Sequence, residues 1–115
     1  MDKFLVLYKV PNAVIDEWMK KPEQERKSEE TKMMDAWKEW MSANAGKVAD
    51  HGGGAGKPKV VSSSGVKDDR NDIMMYQIVQ TNSADEAAKM FVGHPHLGIP
   101  QATIEVMPLK AMQPG

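Results

Sequence analysis

Two of the three histidines in the chain, His94 and His96, flank Pro95 in the segment FVGHPHLGIPQATIEV at residues 91–106. An imidazole has its ordinary pKa near neutrality, so a histidine in a partly enclosed turn can serve as a general acid or base. The third histidine, His51, precedes three glycines in a stretch that can form the mouth of a pocket. His94 and His51 are therefore the two tentative catalytic residues that the sequence offers.

Each histidine also has an explanation without catalysis. His94 and His96 could present two imidazoles to a metal ion, but no third ligand stands at a recognisable spacing, and paired histidines after a helix often cap its carbonyl end. His51 could simply be solvated. If an imidazole does transfer protons, Asp50 or Glu105 would have to orient it. We expect no metal and no other cofactor.

Two tyrosines lie within strand-like stretches, and each could project its hydroxyl into a cleft between a sheet and its helices. Together with His96, Tyr8 and Tyr76 make up the predicted ligand-binding residues. The alternative is that both tyrosines are core residues whose hydroxyls have partners inside the fold. Because prolines and a glycine hold the turn, replacing His96 by alanine should cost at most about 1 kcal/mol.

Composition narrows the class of protein. With 115 residues, of which 41% are hydrophobic, the chain suffices for one compact domain over residues 1–115. Its 15 basic and 16 acidic residues give a formal charge of −1, which argues against binding to nucleic acid or an anionic membrane. Cysteine is absent, which excludes disulfides and thiolate metal sites. The apolar run near the N-terminus is too short for a signal-peptide core, and we expect a cytoplasmic protein.

The elements that must hold these residues follow from periodicity. Ser83 and Glu86 form a capping box for a helix that should end at Gly93, and Pro22 fits the first position of another helix. The predicted helices span 13–21, 22–45 and 84–93, and the predicted strands span 4–9, 47–50, 73–80 and 103–107. Between the second and third strands we expect a flexible glycine loop at 51–57, a weak edge segment at 59–66 and a charged turn at 67–72.

This order of elements predicts an α+β fold with ferredoxin-like βαββαβ topology, in which an antiparallel sheet has helices on one face. The fold would carry a helical insertion at about 12–30 and a frayed tail at about 110–115. Trp37, Trp40 and Met41 form one apolar stripe on the long helix and should pack against the sheet.

Both faces of the predicted sheet are apolar. Alternation sends successive side chains of a strand to opposite faces, and in the first and third strands both sets are apolar: Phe4, Val6 and Tyr8 against Leu5 and Leu7, and Met74, Tyr76 and Ile78 against Ile73, Met75 and Val79. One layer of helices covers only one face. We therefore predict a homodimer in which the helix-free faces of two sheets pack together, with Val6 and Tyr8 among the residues that the partner covers.

The chain resembles the YCII-related proteins, a family that includes the DGPF group. The resemblance covers nearly the whole chain and rests on four blocks: FLVLYK, AGKVAD, MMYQIVQTNSADEAAKMF and HPHLGIPQATIEVMPL. It implies a dimeric α/β barrel. For some members an enzymatic role is inferred from a histidine on the long helix and an aspartate before the turn proline. Ala36 and His94 stand at those positions here, so that acid–base pair is not matched.

Two functions remain. The first is a small-molecule-binding enzyme of unknown substrate, with a histidine-lined cleft near the dimer interface. The second is a non-catalytic homodimeric module for ligand binding or sensing, in which the histidines only shape the turn. Titration of the histidines would distinguish the two functions. A catalytic imidazole should titrate away from its ordinary pKa and respond to ligand.

Overall fold

The computed structural model describes residues 1–111, so most of the predicted frayed tail at 110–115 lies outside the described residues. The strands are β1 (Asp2–Lys9), β2 (Val48–Gly54), β3 (Lys59–Ser62), β4 (Gly65–Asp68), β5 (Ile73–Thr81) and β6 (Thr103–Pro108). The helices are α1 (Asn12–Met19), α2 (Glu23–Asn44) and α3 (Ala84–Lys89), with short 3₁₀ helices at Ala45–Lys47 and Pro95–Gly98. The predicted α+β class is confirmed.

Four strands form one antiparallel sheet in the order β2-β5-β1-β6, and β3 and β4 form a separate two-stranded hairpin. The central pair is β1 with β5, which runs from Asp2 opposite Thr81 to Tyr8 opposite Met75 before the register shifts. The turn that carries the two C-terminal histidines connects α3 to the edge strand β6. This connection places the turn at the side of β1.

Two helix starts follow from local chemistry. α2 begins directly after Pro22, with two glutamates in the first turn, where carboxylates interact favourably with the positive end of the helix dipole. α3 begins after Ser83, whose hydroxyl accepts a hydrogen bond from the Glu86 amide at 3.1 Å. The predicted start of α3 is confirmed, whereas α2 begins one residue later than predicted, because Pro22 is its N-cap and not its first residue. α3 ends at Lys89, earlier than predicted, and turn residues continue to Gly93, which has a φ of 75°.

The face of the sheet that the helices cover holds the core. Its buried strand residues are Phe4, Val6, Tyr8, Gln77, Val79 and Thr81. Trp37 and Trp40 of α2 pack against this cluster, as predicted. The prediction that a partner covers Val6 and Tyr8 is wrong, because the alternation of β1 turns both side chains toward the helices, where each is 0% exposed.

The opposite side of the sheet, which we call the open face, is apolar as well. Strand register places these side chains on it: Leu5, Leu7, Met74, Tyr76, Ile78 and Met107. The described chain measures 52 × 45 × 19 Å, and the shortest extent corresponds to one layer of sheet and one layer of helix. Within residues 1–111, therefore, no second layer of helices covers the open face.

β2 is longer than predicted because it takes up part of the glycine loop. The prediction of a flexible loop over 51–57 is wrong for 51–54, which belong to the strand. Pairing with β5 is irregular, with register shifts on either side of Asp50. Gly52 has a φ of 65°, and a Cβ there would lie 1.9 Å from the carbonyl oxygen of Tyr76. A glycine is required at this bulge because any side chain would collide with β5.

α1 is attached to the rest of the domain by polar contacts at the surface. Asp16 pairs with both terminal nitrogens of Arg70, at 3.0 and 3.3 Å, and the Trp18 indole donates to a carboxylate oxygen of Glu29 on α2 at 2.9 Å. None of the helices in residues 1–111 is long and apolar enough to cross a membrane.

Candidate functional site

The two histidines of the C-terminal turn lie inside the protein, where α2, β1 and the second 3₁₀ helix meet. His94 is 2% exposed and His96 is 4% exposed. The His94 ring centroid lies 4.4 Å from that of Trp37 and 4.6 Å from that of Trp40, in edge-to-face arrangements. The Tyr8 ring of β1 lies 5.3 Å from each imidazole. We call these five side chains the aromatic cluster.

His94 caps the 3₁₀ helix that follows it. Its Nδ1 accepts a hydrogen bond from the backbone N–H of His96 at 3.0 Å. An imidazole nitrogen that accepts from an amide carries no proton, so the neutral ring holds its proton on Nε2. His94 thus serves the amide end of the next helix, whereas the sequence suggested a role at the carbonyl end of the preceding one.

The second ring nitrogen of His94 is unusual. Nε2 is buried and has no hydrogen-bond partner among residues 1–111. Burial, with a smaller contribution from the neighbouring His96, lowers the pKa of His94 to about 4. The ring is therefore neutral at physiological pH. Protonation would also break the bond that Nδ1 accepts, so the local geometry opposes the charged form.

His96 ties the turn to β1. Its Nε2 lies 3.1 Å from the carbonyl oxygen of Lys9 and donates to it, because a carbonyl oxygen can only accept. Burial lowers the pKa of His96, although the carbonyls of Lys9 and Thr103 act in the opposite direction. A small stability loss was expected on replacing His96 because prolines and a glycine hold the turn. In the structure the buried His96 side chain also holds the turn, through its bond to Lys9.

Tyr8 takes part in a buried chain of hydrogen bonds. Its hydroxyl donates to Oε1 of Gln77 on β5, and the Gln77 side-chain amide donates to Sδ of Met41 on α2 at 3.5 Å. Burial raises the pKa of Tyr8, so the hydroxyl keeps its proton. The sequence interpretation overlooked Gln77. A glutamine between the apolar runs IMMY and IV of β5 is the signal that could have identified it.

The other two predicted site residues lie away from the aromatic cluster. Tyr76 is on the open face and 39% exposed. His51 is exposed on the edge strand β2. The structure therefore brings together His94, His96 and Tyr8, and it separates them from Tyr76 and His51. A catalytic or ligand-binding role for each of the five stays a prediction.

The two carboxylates that could have oriented an imidazole have other partners. Asp50 accepts a hydrogen bond from the Gly52 amide at 2.8 Å, which supports the bulge in β2. Glu105 pairs with Lys9 at 3.3 Å at the end of the open face. No hydrogen bond joins a carboxylate to His94 or to the other two histidines in the part of the chain that the structure describes.

The surroundings of the aromatic cluster favour packing over chemistry. Two surface depressions of about 350 and 360 Å³ lie elsewhere, one on the outer side of α2 and one beside the first residues of β1, and neither is lined by a candidate residue. Proton exchange between an imidazole of the cluster and a substrate would require the turn to move. Over residues 1–111, no three His, Asp or Glu side chains converge as metal ligands.

Comparison with known proteins does not identify a family. No protein-family model matches the chain, and no curated protein matches it significantly. The resemblance to the YCII-related proteins therefore stays a prediction that rests on the four sequence blocks.

Proposed function

We propose that the chain is a non-catalytic homodimeric module for ligand binding or sensing, in which two sheets pack through their open faces. The strand order β2-β5-β1-β6 supports a ferredoxin-like sheet with the β3–β4 hairpin inserted between its second and third strands. Two such sheets face to face would make the dimeric α/β barrel that the YCII-related resemblance implies.

One observation carries this proposal: the centre of the open face is apolar. Leu5 lies opposite Ile78, and Leu7 lies opposite Tyr76, so four large side chains form a contiguous patch. Met74 at the edge of this patch is 40% exposed. Soluble monomers rarely expose contiguous apolar patches beyond a few hundred Å². A second copy related by a twofold axis would cover the same residues on both molecules.

The aromatic cluster supports a module without catalysis. A general acid or base needs a pKa near the working pH and contact with its substrate. His94 has a pKa of about 4 and is 2% exposed. Each of its neighbours in the cluster is a packing or hydrogen-bonding partner. These properties suit residues that hold α2 and the turn against β1.

The dimer can be tested with two methionines that differ in position. Met74 lies on the open face, whereas Met34 is 60% exposed on α2. We expect the wild-type protein to show about twice the monomer mass of 12.8 kDa by light scattering at low micromolar concentration. Met74→Glu should give a monomer with an unchanged circular dichroism spectrum, and Met34→Glu should stay dimeric. A folded wild-type protein at the monomer mass would refute the proposal.

One observation favours the second candidate, a small-molecule enzyme. A buried polar atom without a partner is rare, and a ligand acceptor that reached Nε2 of His94 would satisfy it. Native mass spectrometry would show whether a small molecule co-purifies. A bound molecule that shifts the NMR resonances of the His94 ring, but not those of His51, would favour the enzyme. Resonances of both rings that stay unchanged with the molecule bound would favour the module.

A further inference from the structure

The β3–β4 hairpin, residues 59–68, projects from the sheet and has no core of its own. We infer that this hairpin is a dimerisation arm, in which the valine pair Val61 and Val66 packs against the second copy of the chain. The inference rests on the proposed homodimer and adds a second contact region to it. The partner it commits to is another molecule of the same sequence.

The hairpin is unsupported within its own protomer. All its residues, 59–68, are exposed. A two-stranded hairpin is marginally stable at best in water, and such ribbons become stable when one face packs on other structure. A surface outside the protomer can supply that packing.

The hairpin also carries an apolar contact. Val61 lies directly opposite Val66 in the ladder, and the two side chains are 74% and 66% exposed. Cross-strand neighbours on one face act as a unit, so the pair presents a single apolar spot. On the same face, Lys59 and Asp68 are joined by an ion pair at 2.7 Å, which gives the spot a polar border. An apolar centre with a polar rim is the usual composition of a protein contact.

Continuity with the open face points to a second copy as the partner. The amide of Ala55 donates to the carbonyl of Met74 at 2.8 Å, and the amide of Asp69 donates to the carbonyl of Pro58 at 3.2 Å. The first bond ends the β2–β5 pair beside a residue of the open face, and the second closes the base of the hairpin three residues further along the chain. A molecule docked on the open face would end next to the hairpin, and the inferred contact is between that molecule and the valine pair.

The area of the open face gives a second reason to expect a contact outside the sheet. Four strands about 4.8 Å apart, each contributing about seven residues of roughly 3.4 Å, project onto about 450 Å². A standard interface buries about 800 Å² per partner. Side chains make the accessible area of a face larger than this flat projection, so the open face alone would form a small interface. In a twofold dimer each hairpin contributes once, so the two arms enlarge the contact on both sides.

The test uses the double variant Val61→Ser with Val66→Ser. Because both positions are exposed, circular dichroism should be unchanged, and the dimer dissociation constant from analytical ultracentrifugation should rise at least about tenfold. The matched control is Val92→Ser, at a valine that is 80% exposed after α3, which should change the constant less than about twofold. A double variant that dimerises within about twofold of wild type would overturn the inference.

Hydrogen exchange provides a second measurement that does not depend on the valine variants. The amides of residues 59–68 should exchange at least about tenfold more slowly in the wild-type dimer than in the Met74→Glu monomer. Equal rates would overturn the arm while leaving the sheet-to-sheet dimer intact. A wild-type protein that is monomeric at low micromolar concentration would instead refute the proposed dimer, and the arm with it.

Discussion

Along β1 the side chains alternate between two environments that differ in cover but not in hydrophobicity. Phe4, Val6 and Tyr8 are at most 2% exposed beneath the helices, whereas Leu5 and Leu7 are only partly buried on the open face. Both sets would suit a core. The apolar residues of β1 would therefore allow α2 to cover either face of the sheet. The tryptophan stripe of α2 docks on only one of them, and that contact determines which face becomes the core.

The two faces also differ in their polar groups. The covered face buries Gln77 and the two histidines of the aromatic cluster. Most of their polar atoms have partners, which is the condition for burying such groups without a large cost. On the open face the charged residues Lys9 and Glu105 lie at one end and pair with each other. Strand register also places Lys3 and Gln80 toward the opposite end of the open face. Polar groups are therefore buried and mostly partnered on the covered face, whereas on the open face they flank an apolar centre.

Substitutions at two adjacent residues of β5 should show the largest difference between the two faces. Val79 is 0% exposed on the covered face, and its neighbour Ile78 points to the open face. Val79→Glu buries an unpaired carboxylate, so we expect a loss of more than about 4 kcal/mol in the free energy of unfolding. Ile78→Glu should leave the monomer folded and abolish the proposed dimer. Urea unfolding measures the first effect, and light scattering measures the second.

The identical charge change at neighbouring positions makes each variant the control for the other. A folded, dimeric Ile78→Glu protein would show that the contact between copies lies elsewhere. If Val79→Glu unfolded no more easily than Ile78→Glu, the assignment of the covered face would be wrong.

Acid should lower the free energy of unfolding through the buried histidines of the covered face. The folded-state pKa of His94 is about 4, below its ordinary value of 6.5. Its contribution to stability is therefore complete above about pH 6.5 and is lost as the pH falls toward the folded pKa, because the unfolded chain binds the proton first. From His94 alone we expect a loss of about 2 kcal/mol between pH 7 and pH 5. Burial also lowers the pKa of His96, which adds to the loss.

Urea unfolding at a series of pH values measures this dependence, and two asparagine variants control for its origin. The side-chain oxygen of His94→Asn can still accept the amide bond of the 3₁₀ helix but does not titrate, so its stability should change less between pH 7 and pH 5. His51→Asn, at an exposed position, should keep the wild-type slope. Equal slopes for wild type and His94→Asn would contradict the role given to His94.

Local sequence signals predicted where helices begin better than they predicted which side chains are buried. Pro22 and the Ser83 cap fixed two helix starts, because capping depends on residues within one turn. The burial of His94 could not be predicted in the same way. Its neighbours Trp37 and Trp40 are more than fifty positions away in the chain, so HPH is indistinguishable from a surface turn until α2 is docked. The extension of β2 was missed because glycine-rich segments favour loops unless strand pairing requires them.

The buried hydrogen bond of Tyr8 gives a further test of how the covered face is stabilised. Tyr8→Phe removes the donor and leaves Oε1 of Gln77 without that bond, so we expect a loss of about 1–1.5 kcal/mol. A double-mutant cycle with Gln77→Met measures the coupling between the two side chains by urea unfolding. Tyr76→Phe, at a tyrosine that is 39% exposed on the open face, is the matched control and should cost less. A coupling energy near zero would mean that the bond contributes nothing to the stability of the covered face.

The smallest expected effect concerns the charged end of the open face. Lys9 lies 3.3 Å from Glu105 and 3.4 Å from Asp72, and the side chains of these two acids remain 49% and 46% exposed. Because water and salt screen exposed pairs, Glu105→Gln should lower stability by less than about 1 kcal/mol, and the difference should shrink further in high salt. Unfolding of the protein at low and high ionic strength measures this difference. A loss of more than about 3 kcal/mol that persists in salt is typical of a buried ion pair. That result would place these charges inside the proposed contact between copies, beside the apolar patch of the open face.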